Sequence, residues 1–119
     1  MDKIIIPVVP KSLNKLLRVH WSQKGKLKEQ YCLLIVNQMK LNRMRRTEVG
    51  EMWNLTITSY RARLLDMHNL IGGCKPILDA LSLEGFIWDD SSKYINCRYY
   101  QQQSPKDQRY TEITRESVG

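Results

Sequence analysis

The sequence predicts an α+β fold, in which a mixed or antiparallel sheet of about five strands packs with two main helices. Two patterns indicate this class. Residues 51–61 alternate apolar and polar side chains, which is the period of a strand buried on one face. Residues 26–45 and 69–83 instead repeat apolar side chains every three to four positions, as a helix does. A length of 119 residues suits a single domain, residues 1–119, with one core.

Four further segments are expected to complete the sheet. They are residues 3–9, 86–88, 93–101 and 109–115. Pro7 limits the first of them to an edge or an irregular position, because proline cannot donate to a strand ladder. The last two are separated by the turn-forming sequence Ser-Pro-Lys-Asp at residues 104–107.

The first helix is predicted over residues 26–45, and its basic end suits the negative pole of the helix dipole. The apolar run 31–36 could also be a buried strand, because periodicity does not separate the two for short runs. Residues 10–26 are turn-rich and basic, and we expect a loop there that could follow a phosphate backbone. Trp21 in this loop could pack on the domain or stack on a base.

The second helix, residues 69–83, has two chemically different faces at about 100° per residue. The apolar face holds Leu70, Ile71, Cys74, Ile77, Leu78 and Leu81. The opposite face holds His68, Gly72, Lys75 and Asp79. Pro76 removes a backbone donor, so the regular helix could start only there, after a looser turn. Gly85 fits a C-terminal stop.

The composition is ordinary for a soluble globular protein, with 42% hydrophobic and 26% charged residues. No apolar run reaches transmembrane length, and the first residues lack the basic region and cleavage site of a signal peptide. The 3 cysteines are widely spaced in apolar contexts, which favours reduced thiols and a cytoplasmic location. A structural zinc site is not expected, because there is no CxxC pair and there are only 2 histidines.

The net charge of +7 is distributed unevenly along the chain. Residues 11–46 carry ten Lys and Arg side chains against the single acid Glu29, whereas residues 66–90 carry five acids against Lys75. A metal-using nucleic-acid enzyme needs this combination, because basic side chains attract the phosphate backbone and carboxylates hold the cation. A generally basic protein without such a role would have the same balance.

Asp66 and Asp90 flank the second helix and are the candidate metal-binding acids. They could converge on a hard cation such as Mg²⁺ if the segments entering and leaving the helix lie side by side. Lys75 would add positive charge where negative charge accumulates on a phosphate or a leaving oxygen. Gly72 would let a ligand approach the backbone closely.

Each of these residues also has an ordinary structural explanation. Asp66 could be an N-terminal helix cap, and His68 a surface or capping residue. Residues 89–92 have the composition of an acidic turn, and Lys75 with Asp79 has the spacing of a routine i,i+4 ion pair. Spacing alone therefore leaves both interpretations open.

The motifs of this stretch are Asp66-x-x-Asn69-Leu70, Lys75-Pro76, Asp79-Ala80-Leu81, Gly85-Phe86-Ile87 and Asp89-Asp90-Ser91. They are preceded by Ser12-Leu13-Asn14-Lys15 and His20-Trp21. Together they resemble the core of RusA-type Holliday junction resolvases, many of which come from phage. The resemblance spans most of the chain, and its specific part lies between Asp66 and Asp90.

The resemblance implies a small homodimer that binds four-way DNA junctions and nicks symmetrically related strands with Mg²⁺ or Mn²⁺. Carried over to this chain, it makes Asp66 and Asp90 metal-binding acids and Lys75 a catalytic lysine. Where the family has a second acid, this chain has His68. An imidazole could bind Mn²⁺ or act as a base, but it removes a negative charge from a Mg²⁺ site. The candidate catalytic residues are Asp66, His68, Lys75 and Asp90, and the candidate metal ligands are Asp66, His68 and Asp90.

The expected function is therefore metal-dependent cleavage of branched DNA by a cytoplasmic homodimer that has no membrane partner. The side chains expected to contact DNA are Lys11, Lys15, Arg18, Lys24, Lys26, Arg61 and Arg63. One alternative is a junction-binding protein that has lost cleavage through His68. Another is a basic RNA-binding or scaffold domain.

Overall fold

A computed structural model describes residues 1–118 of the chain. Within them the strands are β1 (Asp2–Ile6), β2 (Trp53–Arg61), β3 (Ile95–Gln103) and β4 (Tyr110–Ser117). The helices are α1 (Leu13–Arg18), α2 (Trp21–Leu41), α3 (Met67–Gly73) and α4 (Lys75–Leu83). The α+β class is confirmed. No helix in this part of the chain combines the length and the apolar character that a membrane crossing requires.

The strands form one mixed sheet in the order β1-β4-β2-β3. β4 is antiparallel to both of its neighbours, whereas β2 and β3 are parallel, with Trp53 opposite Ile95. A parallel pair needs a long crossover from the end of one strand to the start of the next. Here that crossover contains α3 and α4, so the motif-bearing stretch is the connection of a β-α-β unit.

The helices cover one face of the sheet. On β2 the alternation predicted from the sequence is confirmed, because Trp53, Leu55 and Ile57 are at most 3% exposed. They belong to one core cluster that also includes Tyr31 and Ile35 of α2 and four residues of α4, namely Ile77, Leu78, Ala80 and Leu81. Burial of each such side chain contributes roughly 1.5–3 kcal/mol to stability.

The predicted strand at residues 86–88 is wrong, and the sheet has four strands within residues 1–118 where about five were expected. Phe86 and Ile87 are fully buried, but they lie in a bend. Both of their amide groups donate to the carbonyl oxygen of Leu81, at 2.9 and 3.3 Å, so they close α4 instead of joining a ladder. Burial explains why Phe86 and Ile87 have the composition of a core strand, whereas Trp88 is 41% exposed.

The predicted loop over residues 10–26 is also wrong, because α1 and the start of α2 occupy most of it. Ser12 caps α1, where its hydroxyl accepts from the amide of Lys15. His20 caps α2, where its Nδ1 atom accepts from the amide of Ser22 at 3.3 Å. α2 therefore begins five positions before the predicted start and includes the run 31–36, which excludes a strand there.

The predicted second helix is divided into two helices at Cys74. Pro76 lies in the first turn of α4, where its missing amide donor costs least, and the segment before it is the regular helix α3. The predicted core face is correct except at Ile71, which is 43% exposed, because the break means that α3 and α4 do not share one helical face. Gly85 follows α4 at φ +79°, which confirms the predicted stop.

Arg115 of β4 is a fully buried charge at the end of the core. Its guanidinium donates to the Asp2 carboxylate at 2.9 Å, to the Phe86 carbonyl at 2.7 Å and to the Arg45 carbonyl. It also lies 4.5 Å from the ring centroid of Trp53. Three segments that are distant in sequence are therefore joined by one side chain.

Replacement of Arg115 by Met is expected to lower the free energy of unfolding by about 3 kcal/mol or more, because two backbone carbonyls lose a charged donor inside the protein. Urea denaturation followed by circular dichroism measures this change. Arg98→Met is the matched control, since Arg98 is exposed on β3, and it should change stability by less than about 0.5 kcal/mol. Equal stability of the two variants would contradict a structural role for Arg115.

Candidate active site

Asp66 is the N-terminal cap of α3. Its Oδ1 atom accepts from the amide of Asn69 at 3.0 Å, and its Oδ2 atom accepts from the side-chain amide of Asn69 at 2.8 Å. Asn69 in turn accepts from the amide of Asn14 at 3.0 Å, which ties the cap to α1. These hydrogen bonds to Asn69 lower the pKa of Asp66. The exposed carboxylate is therefore held ionised in a fixed orientation.

Lys75 lies at the start of α4 and joins two carboxylates. Its ammonium donates to the Oδ2 atom of Asp90 and lies 3.1 Å from the Oδ1 atom of Asp79. Asp79 is one helical turn away, whereas Asp90 is 15 positions away in sequence. We call Lys75, Asp79 and Asp90 the Lys75 cluster. The Asp90 side chain is the least exposed of the three, at 19%.

The charges of the Lys75 cluster are mutually stabilising. The hydrogen bond from Lys75 is the largest cause that lowers the pKa of Asp90. The same hydrogen bond raises the pKa of Lys75. Lys75 and Asp90 are therefore both charged at neutral pH. One lysine and two aspartates give the cluster a formal charge of one negative unit.

The return segment after α4 brings Asp90 to the cluster. Gly85 reverses the chain in a left-handed conformation that favours glycine. Phe86 and Ile87 are then buried in the core, and Arg115 holds the carbonyl of Phe86 at 2.7 Å. Asp90 follows this anchored turn, so its position is set by core packing.

The structure brings Lys75 and Asp90 together, but it does not join Asp66 or His68 to them through a described hydrogen bond. Among residues 1–118, no set of three or more His, Cys, Asp or Glu side chains is arranged to hold a metal ion. The two carboxylates that do converge are those of Asp79 and Asp90. Asp79 was missed as a site residue because its spacing from Lys75 is that of an ordinary ion pair.

The predicted DNA-contacting side chains differ in their surroundings. Exposed positions on or next to α1 and α2 hold Lys11, Lys15, Arg18, Lys24 and Lys26. Arg63 is also exposed. The guanidinium of Arg61 is half-buried and donates to the carbonyls of Pro10 and Arg63, at 3.0 and 2.9 Å, and its burial lowers its pKa. Arg61 thus supports the segment before Asp66, and its contact with DNA stays a prediction.

A cleft of about 320 Å³ opens beside the Lys75 cluster, between α1, α2 and the junction of α3 with α4. Leucines of α1, together with Pro76, supply apolar lining, and Lys24, Gly25 and Lys28 of α2 supply the opposite wall. The cleft was not predicted, because the α1 leucines and Lys24 and Gly25 of α2 lie in the segment that was expected to be a loop.

Gly72 lines this cleft and is also closely approached by α1, and the approach of a ligand to its backbone stays a prediction. A Cβ atom at this position would lie 2.8 Å from the Cδ2 atom of Leu13, so the close neighbour is a side chain of α1. At Gly73 a Cβ atom would lie 1.9 Å from the carbonyl oxygen of Lys11. The two glycines therefore allow α1 to pack against α3.

No protein-family model matches the chain, and no curated protein is significantly similar to it. The resemblance to RusA-type resolvases accordingly stays a hypothesis drawn from the motifs.

Replacement of Lys75 by Met is expected to raise the pKa of Asp90, since the hydrogen bond from Lys75 is the largest cause that lowers it. The pKa is measured by NMR titration of the side-chain carboxyl carbon. Lys93→Met is the control, because Lys93 is exposed and forms no described ion pair within residues 1–118. This variant should leave the pKa of Asp90 unchanged. An unchanged pKa in Lys75→Met would contradict the pairing.

Proposed function

We propose that the protein is a metal-dependent, structure-selective endodeoxyribonuclease that cleaves four-way DNA junctions. The observation that carries this proposal is the Lys75 cluster, in which Asp79 and Asp90 converge on one cationic centre beside exposed lysines of α2. A phosphodiesterase needs carboxylates for a cation and positive charge for the phosphate. The cluster and its surroundings supply both.

The donor atoms fit a hard divalent cation. The ammonium of Lys75 lies against oxygens of both Asp79 and Asp90, so a positive charge is already stabilised between them. Mg²⁺ takes about one or two protein carboxylates and fills its other positions with water and substrate phosphate. We infer that Asp79 and Asp90 hold Mg²⁺ or Mn²⁺, with Asp66 and His68 as further candidates. When bound, such an ion lowers the pKa of coordinated water and neutralises phosphate charge.

Lys75 has a second role in this proposal. Its side chain is 60% exposed, so the ammonium can turn from the carboxylates toward an incoming phosphate. There it donates to a phosphate oxygen whose negative charge increases during cleavage, which is where a positive charge is most effective. Asp90 keeps the ammonium charged and oriented until the substrate arrives.

We propose in addition that the protein acts as a two-fold homodimer in the cytoplasm. A four-way junction presents two equivalent strands, and an isologous dimer offers two equivalent sites. The basic side chains of α1 and α2 would then contact the DNA arms.

Two observations favour the alternative, a junction-binding protein without cleavage. His68 stands where the family has an acid, and residues 1–118 contain no three-ligand set of His, Cys, Asp or Glu. Both proposals require salt-sensitive binding of junctions, so cleavage separates them.

Asp90→Asn is expected to reduce nicking of a synthetic four-way junction by about 100-fold or more, because it removes a charge that orients both Lys75 and the cation. We expect nicking by the parent with Mn²⁺. Rates are measured on a labelled junction with Mg²⁺ and with Mn²⁺, and binding is measured by gel shift. Asp89→Asn is the matched control, since no described hydrogen bond joins Asp89 to the cluster. Nicking that survives Asp90→Asn would remove Asp90 from the mechanism.

His68→Asp tests the alternative. The unsubstituted protein could fail to nick the junction while the His68→Asp variant nicks it with Mg²⁺. That result would show that the chain binds junctions but has lost cleavage. A parent that already nicks with Mn²⁺ should instead gain activity with Mg²⁺, because a third carboxylate increases the negative charge near the cation. The measurement is the ratio of the nicking rate with Mg²⁺ to the nicking rate with Mn²⁺, at equal metal concentration.

A further inference from the structure

One stripe of α2 combines an aromatic ring, two lysines and a glycine. Trp21, Lys24, Gly25 and Lys28 lie at positions i, i+3, i+4 and i+7, so they share one face of the helix. Lys24, Gly25 and Lys28 line the cleft beside the Lys75 cluster. Trp21 stands one turn before them and is 78% exposed. Trp21 is therefore not buried against the domain, and its stacking on a base stays a prediction.

Gly25 has no packing function. Glycine is unfavourable in the interior of a helix relative to alanine, and a Cβ atom here would meet nothing within 4 Å. Gly72 and Gly73, by contrast, are each closely approached by α1. An interior glycine without a packed neighbour keeps the wall of the cleft flat and lets a ligand approach the helix backbone.

The lining of the cleft suits a ligand that is both flat and anionic. Leu13, Leu17 and Pro76 offer apolar surface on one side. Lys24 and Lys28 face it, and neither forms an ion pair with a carboxylate within residues 1–118. A volume of about 320 Å³ is large enough for one ring system with its substituents. The ligand must therefore present a planar apolar group and negative charge close together.

We propose that the cleft binds one unpaired nucleotide of a DNA strand, with its base between the α1 leucines and the Gly25 wall. Its flanking phosphates contact Lys24 and Lys28, and the adjoining base stacks on Trp21. The assignment of the strand to branched DNA rests on the proposed function. In that setting the cleft holds a nucleotide unpaired at the branch point and directs the neighbouring phosphate to Lys75. Selectivity then comes from an unstacked base, in addition to the charge of the backbone.

The test compares two labelled single-stranded oligonucleotides of equal length, one of which carries abasic residues at its centre. Fluorescence anisotropy at fixed salt measures the affinity of the full chain for each. The parent should bind the base-containing strand about tenfold more tightly, within the range of base–aromatic stacking. Both strands have the same phosphates, so this ratio isolates recognition of the base.

Gly25→Leu is designed to fill the cleft and should reduce the ratio to about one, because the base loses its site. A Cβ atom at this position meets nothing within 4 Å, so the helix accommodates the substitution, and circular dichroism should report an undiminished melting temperature. Gly25→Ala is the matched control and should keep most of the preference. Trp21→Ala should lower the ratio in part, whereas Leu33→Ala should not, since Leu33 is exposed on α2 outside this stripe.

Three results would overturn the proposal: no binding of either strand, equal affinity of the parent for both, or a preference that survives Gly25→Leu. If the natural occupant of the cleft is an acidic peptide, the parent should bind the two strands with equal affinity. Failure of the nuclease proposal is distinguishable, because it appears as absent nicking of the four-way junction. A parent that prefers bases but does not nick supports the cleft, and a parent that nicks without the preference refutes it.

Discussion

The buried guanidinium of Arg115 is the interaction on which the candidate site depends. A charge inside a protein is costly unless it is fully hydrogen-bonded, and here its partners come from the start of the chain at Asp2, from the segment after α2 at Arg45 and from the segment after α4 at Phe86. Phe86 lies only four positions before Asp90. Asp2 neutralises the charge of Arg115, and the hydrogen bond from the same guanidinium to the Phe86 carbonyl fixes the return segment that carries Asp90.

The Lys75 cluster compensates for an unfavourable helix end. A lysine in the first turn of a helix lies near the positive pole of the helix dipole, which opposes its charge. Asp79 and Asp90 offset this repulsion, and the pKa of Lys75 is raised accordingly. The repulsion between the ammonium and the start of α4 is thus offset by two acids. An anionic ligand that displaced either acid would meet both the ammonium and the helix end, which is an arrangement suited to phosphate.

Sequence patterns predicted the fold correctly where only one kind of structure produces the pattern. The strand β2 was predicted correctly because alternation of apolar and polar side chains follows directly from burial on one face. Phe86 and Ile87 were misread because a buried bend and a buried strand have the same apolar composition. The start of α2 was misread for another reason. His20 is an uncommon N-terminal cap, and Gly25 with the basic residues around it is more typical of a loop than of a helix interior.

The same distinction explains what could be predicted of the site. The pair Lys75 and Asp79 follows from helical spacing, whereas the contact between Lys75 and Asp90 depends on the turn at Gly85 and the anchor at Phe86. No periodic pattern carries that information, so Asp90 was a candidate only because an acid follows the helix and because the motifs resemble those of a known family. The cleft was not predicted because the start of α2 was assigned to a loop. Once α2 is known to begin at Trp21, the spacing of Trp21, Lys24 and Lys28 places an aromatic ring and two cations on a single face, and the glycine among them becomes the feature that needs an explanation.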